Sequence, residues 1–186
     1  MLLLNFNPFP LLESERLSFR KLTDADAPEI LALRGNPETM RFIPKPLLTD
    51  IAGALAHIKM TNDKIQDNLD INWAVTEKNN DKCIGIMGFH KSQPEHFRSE
   101  VGYMIRKEYW GKGYVTEAVK TLLDFAFNTL NFHSIEAVID SRHTVSERVL
   151  QKNGFIKEAH FVENFYYNNE FTDTVIYSLL KRNFIK

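Results

Sequence analysis

Apolar and polar positions along the chain change period several times, and each change marks an element. Residues 16–22 alternate, with Leu17 and Phe19 on one side, which predicts a first strand. Thr23 then offers a helix N-cap, with Asp26 three residues on in the reciprocal position of a capping box. The helix that follows carries Ile30, Leu31 and Leu33 and ends near Gly35-Asn36-Pro37. A second helix is expected from Thr49 or Asp50 to about Lys64, after a loop punctuated by Pro44 and Pro46. Residues 71–76 and 83–90 read as two strands joined by Asn79-Asn80-Asp81, a strong turn signal. Residues 92–97, with Pro94, read as a loop.

The pattern is sharpest in residues 99–128. Val101, Tyr103 and Ile105 alternate with Gly102 and Met104, so a strand is expected. Val115, Ala118, Val119, Leu122 and Ala126 then recur at helical spacing, with Phe125 beside them. Between the two periods Gly111 and Gly113 flank Lys112. The first turn of a helix holds N–H groups without intrahelical partners and the positive end of the macrodipole. Glycines ahead of it let the backbone approach an anion closely, so the junction is a candidate phosphate cradle, or else a plain turn. It is not a Walker loop, because Lys112 precedes Gly113 rather than Ser or Thr, and it lacks the third glycine of a dinucleotide fingerprint.

Beyond it, residues 134–140 predict a strand with Ile135, Ala137 and Ile139 on one face. A short helix from Thr144 or Val145 to Lys152 is closed by Asn153-Gly154. Residues 161–167 and 173–180 form a last hairpin turning at Asn168-Asn169-Glu170. The order is β-α-α-β-β-β-α-β-α-β-β. Helices set between strands imply an α/β chain, its mixed sheet covered on both faces.

Composition narrows the function. The 186 residues suffice for one domain, 1–186, with a sizeable core. A formal net charge of −1 argues against a nucleic-acid partner held by phosphate neutralisation. Cys83 is the single cysteine and lies in an apolar run, so neither a disulfide framework nor a thiolate zinc site is expected. No H-E-x-x-H pair occurs among the six histidines, and no metal is expected. The apolar start, residues 1–4, is interrupted by Asn5, Pro8 and Pro10 and reads as neither signal peptide nor membrane span. A cytoplasmic protein without membrane association is expected.

The string E-V-G-Y-M-I-R-K-E-Y-W-G-K-G-Y-V-T-E-A resembles the central motif of the GNAT acetyltransferases, and most closely the RimJ/RimL-like branch that acts on ribosomal-protein N-termini. E-R-L-S-F-R-K-L-T-D-A-D-A is similar to the opening of that branch, and S-E-R-V-L-Q-K-N-G-F to the second signature of the family. The resemblance runs from Glu13 over nearly the whole chain. It implies the GNAT fold, a mixed but mostly antiparallel sheet, and acetyl-CoA as co-substrate. It assigns the backbones of Ile105 and Arg106 to the pantetheine arm, and Trp110, Gly111, Lys112, Gly113, Tyr114, Val115 and Thr116 to the pyrophosphate loop. It also puts the acceptor groove beside the segment after the first helix. Three positions depart from the family: Trp110 for Gln or Arg, Val115 for a smaller residue, and His143 for an Asn that contacts the cofactor.

Moving an acetyl group from a thioester to an amine requires that the amine lose a proton and that the leaving thiolate gain one. The resemblance makes Ser146 the candidate proton donor; otherwise it is a first-turn helix cap. Glu100, at the start of the central strand, and Glu163, on the strand after Gly154-Phe155, are the candidate bases. Tyr166, Tyr167 and Tyr177 are acids, substrate walls or core, and Asp173 is an acidic position that can simply support the turn. The expected activity is N-acetyl transfer to a protein N-terminal amine. The competing readings are a small amine acceptor such as a polyamine, amino acid or drug, and a non-catalytic acyl-CoA sensor. A monomer or a homodimer fits equally.

Overall fold

A computed structural model describes residues 1–184. Among them the elements run β1 (Leu12–Glu13), β2 (Leu17–Arg20), α1 (Ala27–Arg34), α2 (Ile51–Gln66), β3 (Ile71–Glu77), β4 (Asn80–Gln93), β5 (Arg98–Ile105), α3 (Tyr114–Asn128), β6 (Ser134–Asp140), α4 (Thr144–Lys152), β7 (Ile156–Tyr167) and β8 (Glu170–Leu180). The strands form one sheet in the order β1-β2-β3-β4-β5-β6-β8-β7. Every neighbouring pair is antiparallel except β5 and β6.

Alternation along the central strands sorts the core into two halves. Val75, Met87, Val101 and Ile105 face α3 and α4, where Val119, Leu122, Leu123 and Leu150 are fully buried against them. Ala74, Cys83 and Ile86 face α1 and α2, where Ile30, Leu33, Ala54 and Ile58 close the second layer. Successive side chains of a strand point to opposite faces, so one strand serves both layers. Both layers are therefore covered, as the element order predicts.

The capping box forms: the Thr23 N–H donates to Asp26 Oδ2 at 2.9 Å, and a 3-10 turn over Asp24–Asp26 leads into α1. Asp50 caps α2 by accepting the Gly53 N–H at 2.7 Å, the second of the two starts expected. The first strand is trimmed at both ends, because Leu22 turns away to pack beneath α1 while Arg16 reaches toward α3. The expected loop at 92–97 is shorter than read, since β4 continues to Gln93 and a 3-10 turn over Pro94–His96 completes the connection. The final hairpin is longer, its turn made by Asn168 and Asn169, both at positive φ. The N-terminal arm has a place in the core. Phe6 is buried, and the indole N–H of fully buried Trp73 donates to the Pro10 carbonyl at 2.7 Å. No helix among the described residues is long and apolar enough to cross a membrane.

Candidate active site

The parallel pair β5 and β6 is in register only at Arg98↔Ser134, Ser99↔Ile135 and Glu100↔Glu136. Beyond Glu100 the two strands part, so the second half of β5 has no strand on that side. Backbone groups at such a split are a template for an extended ligand. The Arg106 N–H donates to the Ile84 carbonyl on β4 at 2.9 Å. Neighbouring residues in a strand point their amides to opposite sides, so it is Ile105 whose backbone borders the split. Its carbonyl accepts the indole N–H of Trp110 at 2.9 Å. Of the two backbones expected to meet the pantetheine arm, Arg106 is therefore committed to the sheet.

On the α3 and α4 side of the split stands a hydroxyl pair. Tyr103 comes from β5 and Ser146 from the first turn of α4, with 2.7 Å between Tyr103 Oη and Ser146 Oγ. Burial pushes the Tyr103 phenol up to about 12, partly offset by its hydrogen bond with Ser146, so it stays protonated at neutral pH. With Tyr103 donating, the Ser146 hydroxyl is free to donate onward. Ser146 is not the cap of α4; the cap is a different residue. His143 Nδ1 accepts the Ser146 N–H at 3.1 Å and begins α4. Burial lowers the pKa of His143, against its own backbone hydrogen bond and the Asp140 charge. The ring of His143 also packs on Phe42, with 4.6 Å between centroids. Phe42 belongs to the α1–α2 connection, which is held on the other side of the split by Glu38 and Lys107 at 2.5 Å.

The glycine loop leads into α3 with the geometry a close approach needs. Gly111 has φ +73 and Gly113 φ +80, backbone that other residues adopt at a cost. A Cβ on Gly111 would meet nothing within 4 Å, and one on Gly113 only Arg16 Nη2 at 3.5 Å. The exposed surface above this turn is room for phosphate oxygens beside the first N–H groups of α3. Lys112 lies with Nζ 4.9 Å from the centre of the Tyr109 ring. Arg16 is a participant that no local sequence signal marks. It donates to the Lys112 carbonyl at 3.0 Å, pairs with Glu117 at 2.6 Å and covers the Tyr114 ring. It ties the loop to β2 and brings a second cation to it. A depression of about 470 Å³ adjoins this region, lined by Ala32, Asn36, Arg106, Lys107 and Glu108. The split, the hydroxyl pair and the glycine turn together fit a long thioester ligand with a phosphate tail.

A model of the acetyltransferase (GNAT) domain matches residues 16–156. The chain belongs to the GNAT acetyltransferases. It is therefore an N-acetyltransferase, and acetyl-CoA is its acetyl donor. The uncharacterized N-acetyltransferase YoaA of Bacillus subtilis is 33% identical over 173 residues, which are 93% of this chain and 98% of that protein. A GNAT-family acetyltransferase structure from Bacillus anthracis superposes with a TM-score of 0.83 at 26% identity, covering 93% of this chain and 99% of the other. The putative ribosomal N-acetyltransferase YdaF of B. subtilis is 33% identical over 98 residues, 53% of this chain and 54% of that protein.

The two candidate bases of this GNAT enzyme stand in different places. Glu100 ends the paired part of β5 and β6, on the α1 and α2 face, and accepts from Lys91 Nζ at 2.7 Å. Glu163 is exposed on a bulge of β7, which β8 separates from β6; its φ is +49 and its N–H donates to Asp173 Oδ1 at 2.8 Å. Asp173 supports that bulge and pairs with His160. Tyr177 is core, its hydroxyl donating to Glu147 on α4. Tyr166 is exposed beside the hairpin turn.

Proposed function

We propose that this GNAT enzyme acetylates a protein N-terminal α-amine, as the RimJ/RimL-like branch does. The observation that carries the reading is the opening of β5 and β6 just past Glu100, with the hydroxyl pair on one face and the α1–α2 connection crossing from Lys107 to His143. An extended chain end can enter such a mouth, bordered by loops rather than enclosed. The similarity to a putative ribosomal N-acetyltransferase supports the same acceptor.

The cofactor supplies the acetyl thioester; Ile105, Trp110 and the turn from Gly111 to Thr116 hold and orient it. Glu100 takes the amine proton, directly or through water, and Ser146, backed by Tyr103, returns one to the leaving sulfur. The proton account closes without a covalent acyl-enzyme. Lys91, the partner of Glu100, is 72% exposed, so the ion pair exchanges readily with solvent. Glu163, two strands away from β6 in the sheet order, is the second choice.

Release of free thiol from acetyl-CoA, measured with N-terminal peptides and with small amines, tests the reading. Peptides should turn over best, and Glu100→Gln should slow turnover by roughly 10²–10⁴-fold with cofactor affinity near that of the parent. Coenzyme A binding without turnover of any amine would overturn it and leave an acyl-CoA sensor.

A further inference from the structure

The face of the sheet under α1 and α2 holds a cation, Arg34, that pairs with no carboxylate among the described residues. Arg34, in the last turn of α1, sends Nη1 to within 3.6 Å of Met104 Sδ on β5, and its Nε is buried with no hydrogen-bond partner among the described residues. Met104 follows Tyr103 directly, so the guanidinium lies over the same part of β5 that borders the split, on the opposite face from the hydroxyl pair.

Asp70 and Glu100 are matched to other cations. Asp70 accepts from Lys64 Nζ at 2.7 Å and from the Lys91 N–H at 3.0 Å, with His90 Nδ1 4.0 Å away. Glu100 is paired with Lys91. On the adjoining helix α2, His57 is surrounded by positive charge. Burial, then Arg34, His90 and Lys64, pull its pKa down to about 4, so its ring is neutral at physiological pH. Arg34 itself is partly buried, and a buried guanidinium N–H without a partner is costly and seldom left so in native proteins. Arg is also the residue whose planar fork suits a carboxylate or phosphate.

We propose that Arg34 is a specificity-determining residue that binds an anionic group of the acceptor, carried on the amine-bearing residue or the next one. The inference rests on the N-acetyltransfer reading above and narrows its acceptor to acidic chain ends. The same charge disfavours a polyamine acceptor, because a cationic chain laid beside the guanidinium is repelled.

The test is calorimetric titration of the protein, saturated with coenzyme A, using C-terminally amidated tetrapeptides paired as Asp against Asn at the first or second position. In at least one pair the Asp peptide should bind about tenfold tighter or more, the size of a charge-assisted hydrogen bond in affinity units. Arg34→Gln should bring that ratio close to one, and Arg34→Lys should restore part of it. Thermal melting separates this role from a structural one: Arg34→Gln should melt at or above the parent temperature, since it removes a partly buried cation that pairs with no carboxylate among the described residues. Equal affinities within each pair, no binding of either peptide at millimolar concentration, or a ratio that survives Arg34→Gln would overturn the proposal. An Asp preference without thiol release from acetyl-CoA would sustain it while overturning the transferase reading.

Discussion

His143 stands where the family has Asn, and its nitrogen does an amide oxygen's work. A neutral imidazole can accept the Ser146 N–H at Nδ1; a protonated one cannot. Burial, the largest influence, depresses its pKa from 6.5, so the unfolded chain takes up the proton first as the pH falls. The stability His143 contributes is complete above about 6.5 and declines below it, until the native ring protonates too. His143→Asn keeps a good N-cap without a titrating group. Its melting temperature should fall less than the parent's between pH 6.5 and 5, with coenzyme A affinity equal or tighter. Identical slopes for the two proteins would show that the cap does not titrate. The sequence shows this residue as a departure from the family, but Phe42, which packs on its ring, comes from the distant α1–α2 connection. Arg34 was wholly hidden, because a helix-end arginine usually faces water and only the packing of Met104 and α2 denies it a partner.

At the scale of elements, the junction between β5 and α3 was legible because three local signals coincide there: alternation, glycine punctuation and helical periodicity. Gly113 tests what the junction is for. At φ +80 a valine is strained by about 1–2 kcal/mol, and its branched side chain would fill the space expected for a phosphate. Gly113→Val should stay folded by circular dichroism, because the apolar faces of β5 and α3 do not involve the loop, yet lose coenzyme A binding by calorimetry. A folded variant with parental affinity would reduce the two glycines to a turn. Elements without such coincidence are less legible. The two-residue β1 gives no period to detect, and it exists because it pairs with β2 at Leu12↔Phe19. The first part of β7, residues 156–160, is largely exposed and lacks apolar alternation, so only its register with β8 defines it. The split between β5 and β6 is a property of pairing, and no single strand encodes it. Arg16, held to Lys112 and Glu117 across most of the chain, is invisible for the same reason.

The molecule as a whole sets the order of events. Tyr103 and Met104 are neighbours on one strand, but one faces the α3 and α4 layer and the other the α1 and α2 layer. With Ser146 at the thioester and Arg34 at the acceptor, as proposed above, the two substrates would approach the same part of β5 from opposite faces and could be bound at once. A double-displacement route would instead need a nucleophile to store the acetyl group. Cys83 is 1% exposed, and burial, the largest influence, together with the Asp26 charge pushes its thiol up to about 12. Ser146 has a phenol rather than a base at its oxygen, since the His143 nitrogen is spent on the backbone N–H. Initial rates measured against both substrates should therefore give intersecting lines, with no burst of thiol before amine is added. Cys83→Ala should cost stability through the small cavity it leaves, with kcat near parental. Parallel lines, or an acetylated protein trapped by rapid quench in the absence of amine, would mean that a side chain does carry the acetyl group and that the two faces of β5 are used in turn.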